Sequence, residues 1–482
     1  MIRPFRRVTL VVFGMFVALM VASTLIQGVF ADELRQDPRN VRTTLQGYDV
    51  RRGSILVAGE PIAESVPSGD MYQYKRVYPQ GPLYSSVTGY FTLNAGRTGI
   101  ESAMNDELSG TSGSQFFDTL NRIITGQSPQ GDSVQLTIDP KVQQAAWDAL
   151  GDYRGAIVAI EPSTGRVLAM VSKPTFDPNS LTGTDGSAVD AAYQALVDDP
   201  GKPLDNRAIA GDEYHPGSTF KVVMSASALS TGSYTTESAF PNPASLQLPQ
   251  SSAVITNASG TQCGPGDQVS LLNALVLSCN IPFAELGMSL GRQQIGTTAQ
   301  AFGFNKDLSI PLKVTPSIWP TLQSDAQTAL ASFGQEDVRA TPLQIAMVSA
   351  AVANHGVLMK PQLVDSVIAP DLSVRSGFSA EQWATPVSPQ VADTVRDMMV
   401  QVVSRPDGTS HLAAIPGVDV AGKTGTAENG PGDPYTLWFT GFAPANDPQV
   451  AVAVVVEDGG SGTSYDLTAP MGKQVIEAVL NR

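Results

Sequence analysis

The stretch YHPGSTFKVV, residues 214–223, places Ser218 three positions before Lys221 and directly after a Pro-Gly pair. Of the ten lysines in the chain, only Lys221 has a serine at that spacing. The Pro-Gly pair predicts a turn, and the apolar, small-residue-rich run after it predicts a helix. Residues three apart share a helix face, so Lys221 can reach the Ser218 hydroxyl and, if burial lowers its pKa, act as its base. The simpler alternative is a capping serine followed by a surface lysine.

Two further motifs favour a catalytic interpretation. LSCN places Ser278 and Asn280 two residues apart, just before Ile281-Pro282. Because a residue before proline avoids α geometry, both side chains are expected in a turn between helices, facing a cleft. An ordinary helix cap by Asn280 is the alternative interpretation.

The third motif is KTGT, residues 423–426, within a strand pattern. The two-residue period puts Thr424 and Thr426 on one face and Lys423 and Gly425 on the other. Two hydroxyls in register suit a carboxylate, and the glycine permits close approach of another backbone.

The composition excludes several functional classes. The chain has 482 residues, 42% of them hydrophobic and 16% charged, which is enough for a large core and more than one domain. Its formal charge of −15 argues against nucleic acid as a partner. Its two cysteines have no metal-ligand spacing, and we expect neither a metal nor a cofactor.

An uncharged segment from Val8 to Ile26 is long enough to span a bilayer. We expect an uncleaved anchor; a buried core helix and a signal peptide cleaved after Val29-Phe30-Ala31 are the alternatives. Arg3, Arg6 and Arg7 precede this segment, and Asp32 and Glu33 follow it. The positive-inside rule then places the N-terminus in the cytoplasm and the rest of the chain outside the membrane.

The remaining chain divides near residue 134. Residues 32–133 suggest short extended pieces with a helix around 114–124, and the polar stretch 126–132 resembles a linker. Asp139 and Pro140 then begin a new helix as N-cap and first helical residue. We therefore expect a tail and anchor at 1–31, a small domain at 32–133 and a larger domain at 134–482.

The larger domain is predicted to be a mixed α/β structure. GAIVAIEP and GRVLAMVS predict a hairpin, and three more strand-like runs follow residue 417. Between them lies a mainly helical span, in which Thr341 and Gln344 suggest a capping box. Strands at both ends of a domain imply a sheet assembled from distant segments.

In this order, the three motifs resemble those of penicillin-binding proteins and serine β-lactamases. RRGSIL at 51–56 and GRTGIE at 96–101 resemble the N-terminal pedestal of class B penicillin-binding proteins, and LTID, GQEDVRATPLQIA and WFTGFAP resemble their transpeptidase domain. The short penicillin-binding protein A group is similar. Cys279 stands where β-lactamases commonly have aspartate, which favours the transpeptidase side. The resemblance implies an α+β transpeptidase domain with a central antiparallel five-stranded sheet flanked by helices, beside a dimerisation-type pedestal.

The resemblance also implies a mechanism. Ser218 would attack the carbonyl of a D-alanyl-D-alanine stem peptide, with Lys221 taking its proton. Ser278 and Lys423 would relay the proton to the leaving D-alanine, and Asn280 would hold the peptide amide. The terminal carboxylate would be bound by Thr424 and Thr426, with Gly425 between them. The oxyanion hole would be formed by the backbone N–H groups of Ser218 and Thr426.

Two other motifs are expected to be structural. GMSLG, residues 287–291, fits the hydrolase G-x-S-x-G pattern, but its surroundings suggest a helix, so Ser289 is interpreted as structural. His215 invites a Ser-His-Asp triad, yet it is expected to make local hydrogen bonds.

The two cysteines, Cys263 and Cys279, are expected to form a disulfide beside the active site. Both would lie in an oxidising compartment, and fifteen residues separate them. Two buried free thiols are the alternative.

Three functions remain open from sequence. The leading one is a monofunctional peptidoglycan transpeptidase for growth or division, inhibited covalently by β-lactams. About 100 residues before the linker are too few for a glycosyltransferase domain, which implies a membrane glycan polymerase as partner. A D,D-carboxypeptidase and a non-enzymatic β-lactam sensor or division scaffold are the alternatives.

Overall fold

The computed structural model describes residues 2–30, 34, 48–69, 72–92, 94–115, 130–210, 213–460 and 462–482. The chain begins with helix α1 (Ile2–Thr24), which continues as a π-helical turn at Leu25–Val29. The segment Arg6–Val29 has a mean hydropathy of 2.4, and the described part of the chain buries none of it. It is long and apolar enough to cross a membrane. The helix expected at 114–124 lies outside the described residues, except for a 3₁₀ turn at Gly113–Gln115.

The first globular region is built on a six-stranded sheet, with strands β1 (Ile55–Val57), β2 (Glu60–Pro67), β3 (Tyr74–Val77), β6 (Ser133–Leu136), β16 (Val364–Ile368) and β17 (Val374–Gly377). Their order in the sheet is β17-β16-β6-β1-β2-β3. Strands β1 and β6 are parallel and the other neighbours are antiparallel. Two of the strands come from after residue 360, so the sheet joins the two predicted domains, which the sequence did not indicate.

A buried ion-pair cluster connects the two pedestal-like motifs. Arg52 of RRGSIL donates from Nε to Glu101 Oε2 of GRTGIE at 2.7 Å, and Arg76 Nε donates to Glu101 Oε1 at 2.6 Å. All three side chains are almost completely buried. The two guanidinium groups hold the Glu101 pKa below its ordinary value although burial opposes this. Removing one partner from such a cluster leaves a buried charge without compensation, so the cluster holds these segments in register.

The second globular region contains the predicted antiparallel five-stranded sheet, with strands β7 (Gly155–Ile160), β8 (Val167–Lys173), β19 (Ala421–Ala427), β20 (Thr436–Ala443) and β21 (Val450–Val456). Their order in the sheet is β19-β20-β21-β7-β8. Ile157 and Ala159 of β7 pack with the first and last helices of this region, whereas Ala156 and Val158 face the core on the opposite side. Alternate residues of β7 therefore pack into two hydrophobic cores, one on each face of the sheet.

Helices and small hairpins fill the span between the strands. The other helices are α2 (Gly81–Thr88), α3 (Gly99–Ala103), α4 (Asn105–Ser109), α5 (Pro140–Leu150), α6 (Gly186–Asp198), α7 (Lys221–Ser230), α8 (Leu271–Val276), α9 (Ile281–Leu290), α10 (Arg292–Ala301), α11 (Asp325–Ala331), α12 (Pro342–Ala353), α13 (Pro389–Ser404) and α14 (Ala469–Leu480). The two-stranded pairs are β4 (Phe91–Thr92) with β5 (Gly96–Arg97), β9 (Ala239–Pro241) with β12 (Gln268–Ser270), β10 (Ser245–Gln247) with β11 (Val254–Thr256), β13 (Leu308–Ser309) with β14 (Lys313–Val314), and β15 (Leu358–Met359) with β18 (Gln382–Ala384).

The predicted helix caps are confirmed in part. Asp139 Oδ1 accepts from the Lys141 and Val142 N–H groups, as expected of an N-cap. Thr341 likewise accepts from the Gln344 N–H, but the Gln344 side chain donates to the Phe302 carbonyl oxygen at 2.7 Å. The reciprocal half of the predicted capping box is therefore wrong, because a tertiary contact takes up the Gln344 amide.

Candidate active site

Ser218 lies in a 3₁₀ turn, Gly217–Phe220, that leads directly into α7. Gly217 has φ +53°, and a Cβ there would lie 2.7 Å from the Thr426 carbonyl oxygen, so only glycine fits between this turn and β19. The Gly217 N–H donates to the Gly334 carbonyl oxygen at 3.0 Å. The predicted turn and helix are confirmed, and the turn is fixed from two sides.

Lys221 is fully buried one helical turn after Ser218. Its Nζ donates to the Ser278 carbonyl oxygen and to Asn280 Oδ1, both at 2.8 Å. Burial, and secondarily the charge of Lys423, hold the Lys221 pKa well below its ordinary value, which favours the neutral, base-competent amine. Within the described residues the Ser218 hydroxyl has no hydrogen bond, so proton transfer from Ser218 to Lys221 stays a prediction.

Ser278 and Asn280 occupy the expected turn, between α8 and α9. Ser278 has the uncommon φ of +60°, which directs its carbonyl oxygen to Lys221 while its hydroxyl accepts from Lys423 Nζ at 2.8 Å. Asn280 stands at the N-cap position of α9, but its side chain makes no capping bond. Its Oδ1 accepts from Lys221 and its Nδ2 donates to the Thr256 carbonyl oxygen at 3.0 Å.

A residue that sequence reasoning missed caps α9 instead. Asn257 Oδ1 accepts from the N–H groups of Asn280, at 2.9 Å, and Ile281, at 3.2 Å. Asn257 is 23 residues before Asn280, in a loop with ordinary turn residues, so the sequence contains no local signal for this role. Its contact frees the Asn280 side chain to bind Lys221.

Lys423 is also fully buried, on β19. Burial lowers its pKa to about 7, so both charge states are populated near neutrality. Besides Ser278 Oγ, its Nζ donates to the Thr424 carbonyl oxygen at 2.9 Å. Ser278 is therefore held between the two lysines, with its carbonyl oxygen on Lys221 and its hydroxyl on Lys423.

The two threonines of KTGT differ in their surroundings. Thr426 is exposed and its hydroxyl shares a 3.0 Å hydrogen bond with Ser464, a residue that the sequence analysis did not single out. Thr424 is buried and donates its hydroxyl proton to the Thr409 carbonyl oxygen at 3.0 Å. A role of Thr424 in carboxylate binding stays a prediction, and in this arrangement its proton is directed to the main chain.

Gly425 permits the close approach expected of it. A Cβ there would lie 3.0 Å from both the Pro216 carbonyl oxygen and the Thr219 Cγ2, so a larger residue would push β19 away from the nucleophile turn. The resulting cleft has a volume of about 350 Å³, and Ser218, Asn280 and Thr426 all line it.

The expected disulfide is present in the structure. Cys263 and Cys279 are bonded, with their Cα atoms 5.7 Å apart, and both side chains are buried. Because Cys279 stands between Ser278 and Asn280, the bond ties the motif turn to the loop at Cys263. Asn242 Oδ1 in turn accepts from the Cys263 N–H at 2.8 Å, which fixes that loop.

Ser289 and His215 are structural, as expected. Ser289 lies within α9 and its hydroxyl hydrogen-bonds the Tyr234 hydroxyl at 2.8 Å. The His215 ring contacts Arg339, while its carbonyl oxygen accepts from Trp438 Nε1 at 2.9 Å. Among the residues that the structure describes, no group of three His, Cys, Asp or Glu residues is placed to hold a metal.

Two family models match the chain. One, the penicillin-binding protein transpeptidase domain, matches residues 155–477, and the other, the penicillin-binding protein A dimerisation domain, matches residues 52–134. The chain belongs to the penicillin-binding protein transpeptidase family. It is a class B member, with the dimerisation domain beside the transpeptidase domain.

Sequence similarity to known proteins extends over almost the whole chain. The peptidoglycan D,D-transpeptidase PbpA of Mycolicibacterium smegmatis is 44% identical over 98% of both chains, and that of Mycobacterium tuberculosis is 41% identical over 98% of both chains. The solved structure of penicillin-binding protein A from M. tuberculosis as a ceftriaxone acyl-enzyme complex has a TM-score of 0.86 and 40% identity, over 90% of this chain and 100% of that chain.

We predict that Lys221→Ala slows acylation by a fluorescent penicillin by roughly 100- to 10,000-fold, because a positioned general base is lost. The second-order labelling rate constant measures the effect. Lys360→Ala, which removes a lysine from a surface ion pair with Glu381, is the control and should leave the rate unchanged. A near-normal rate in the Lys221 variant would remove this lysine from the mechanism.

We also predict that the disulfide is formed in the purified protein and supports the motif turn. Intact mass after denaturing alkylation should show no added alkyl group without reductant and two after reduction. Reduction should slow acylation and lower stability, since a loop of this length contributes about 3 kcal/mol in the chain-entropy model. Two alkyl groups without reductant would contradict the bond.

Proposed function

We propose that the protein is a peptidoglycan D,D-transpeptidase that cross-links stem peptides through a serine acyl-enzyme during growth or division. One observation carries the proposal. Lys221, three residues after Ser218, is fully buried and bound by both residues of the Ser278–Asn280 motif. A surface lysine after a capping serine would have none of these features, and the names of the similar proteins support the same activity.

In the acylation step, Ser218 Oγ attacks the carbonyl carbon of the penultimate D-alanine and its proton passes to neutral Lys221. The C–N bond of the terminal D-alanine then breaks, and Ser278 with Lys423 delivers a proton to the leaving amine. The Lys423–Ser278 contact of 2.8 Å supports this relay. The N–H groups of Ser218 and Thr426 hold the oxyanion, and Asn280 holds the peptide amide.

In the second step an amine of a neighbouring strand attacks the ester carbonyl, loses a proton to the same base and releases Ser218. The exposed Thr426 hydroxyl recognises the terminal carboxylate of the donor, together with Thr424 once its hydroxyl turns away from the Thr409 carbonyl oxygen. Gly425 lets β19 approach the nucleophile turn. A β-lactam acylates the same serine; penicillin-binding protein A from M. tuberculosis has been solved as ceftriaxone and imipenem acyl-enzyme complexes.

We further propose a division of the chain and a membrane setting. The tail and anchor occupy residues 1–31, the pedestal 32–133 and the transpeptidase domain 134–482. The N-terminus is cytoplasmic and both domains lie outside, because Arg3, Arg6 and Arg7 lie at the N-terminal end of the apolar helix. The family models that match the chain are a dimerisation domain and a transpeptidase domain, and we propose that a membrane glycan polymerase supplies the strands.

The activity is tested with a labelled stem-peptide donor and competing amines, with product scored as cross-linked or hydrolysed. Cross-linked product is expected, and a fluorescent penicillin should label the protein at Ser218 but not the Ser218→Ala variant. Ser289→Ala, which removes the serine of the other motif, should label normally. Hydrolysed product alone would indicate a carboxypeptidase, and labelling without either product would indicate a sensor.

The topology is tested with protease added outside intact spheroplasts. Digestion of the region after residue 31, with protection of an N-terminal tag, is expected. A protected catalytic domain would mean that the orientation is reversed.

A further inference from the structure

The WFTGFAP motif contains a buried tryptophan that the proposed mechanism does not use. Trp438 lies on β20 and is fully buried, and its indole Nε1 donates to the His215 carbonyl oxygen at 2.9 Å. His215 is three residues before Ser218. A strand of the central sheet therefore holds, through a side chain, the main chain that enters the nucleophile turn.

The register of the sheet explains why this indole reaches the turn. Trp438 lies directly opposite Gly425 of β19, and paired residues of antiparallel strands direct their side chains to the same face of a sheet. On that face the turn occupies the space above Gly425, since a Cβ there would lie 3.0 Å from the Pro216 carbonyl oxygen. The glycine thus lets the turn pack on β19, and the neighbouring indole binds the turn from the adjacent strand.

A second contact holds the same segment. The Tyr214 ring packs edge-on against the Trp438 ring, with the ring centroids 6.0 Å apart, and the Tyr214 hydroxyl donates to Glu457 Oε1 at 2.6 Å. Glu457 directly follows β21, the strand next to β20, and its Oε1 also accepts from Nε of the buried Arg207 at 2.7 Å. The residues before the turn are therefore attached to two adjacent strands.

The position of the turn decides the geometry of the proposed oxyanion hole. The two N–H groups of that hole belong to different elements, Ser218 to the turn and Thr426 to β19. Both must lie within hydrogen-bonding distance of one oxygen, so a small displacement of the turn weakens the hole. Because the main chain of β20 is paired with β19, with Leu437 opposite Thr426, the Trp438 side chain connects the strand of one donor to the segment of the other.

We propose that Trp438 is a positioning residue for the transpeptidase reaction. Its indole N–H, through the His215 carbonyl oxygen, holds the Ser218 N–H where it can bind the oxyanion together with the Thr426 N–H. The inference rests on the proposed function. Trp438 is not among the described residues that line the cleft, so it acts through the turn and not on the substrate.

The test removes the indole N–H and keeps the shape of the ring. The tryptophan analogue 3-benzothienyl-L-alanine, which has sulfur in place of the N–H group, is incorporated at position 438 of the full-length protein. The rate constant for acylation by a saturating fluorescent penicillin should fall roughly 10- to 100-fold, since a misplacement of about 1 Å can cost 100-fold. The dissociation constant of the preceding noncovalent complex should be unchanged, because the cleft keeps its lining.

An infrared measurement distinguishes positioning from a loss of stability. Hydrogen bonds from the oxyanion hole lower the stretching frequency of the ester carbonyl in the acyl-enzyme. A penicillin isotopically labelled at its β-lactam carbonyl reports that frequency after acylation. The analogue at position 438 should raise the frequency, and Trp438→Phe, which lacks the N–H in a smaller ring, should raise it as well.

The same analogue at position 319 is the matched control. Trp319 is also buried and stacks on Phe220, two residues after Ser218, with the ring centroids 5.5 Å apart. In the described part of the chain its indole nitrogen donates to no residue, so the control should leave the rate constant and the carbonyl frequency unchanged.

An unchanged carbonyl frequency in the position-438 analogue would overturn the inference, even if the midpoint of thermal unfolding falls. An equal change in the position-319 control would overturn it too. Failure of the proposed function is a different result, namely no labelling of Ser218 in the wild-type protein, and it would refute the inference as well.

Discussion

The structure depends on the burial of one amine. Lys221 Nζ lies between the Ser278 carbonyl oxygen and Asn280 Oδ1, and these two bonds join α7 to the turn before α9. An ammonium group in this position would be costly, because burial removes its hydration and Lys423 adds a like charge nearby. Since one neutral amine satisfies both acceptors, the arrangement prepares a base and fixes the motif turn at the same time.

The surrounding constraints maintain that arrangement from several directions. Asn257 caps α9 so that the Asn280 side chain remains available, and the disulfide at Cys279 anchors the turn from the other side. Gly217 and Gly425 allow the nucleophile turn and β19 to pack closely. Stability and catalysis therefore use the same contacts, and a substitution in this turn should affect both.

The sequence predicted the parts whose signals are local. Apolar runs predicted the five strands of the central sheet, and Asp139 predicted a helix start. The motif residues Ser218, Ser278, Asn280 and Lys423 lie together, as their motifs led us to expect. The sequence did not predict the features that depend on long-range contacts. Strands β16 and β17 join the pedestal sheet from more than 200 residues away, and their sequences carry no mark of that partner. Asn257, Ser464 and the Thr424–Thr409 bond were missed for the same reason, since ordinary polar residues acquire these roles only through tertiary contacts.

The pH dependence of acylation by a penicillin tests the neutral-lysine account most directly. A base must be deprotonated to act, so the rate rises with pH until Lys221 has lost its proton. Because Lys221 is buried and lies near Lys423, its pKa is well below the ordinary value of 10.5, so that rise should end well before pH 10.5. Titration of Lys423, whose pKa is about 7, gives no further increase in that range. The account predicts a second-order rate constant that no longer rises between pH 9 and 10. A tenfold increase per pH unit across that range would contradict it, because Lys221 would then be an ordinary, protonated lysine.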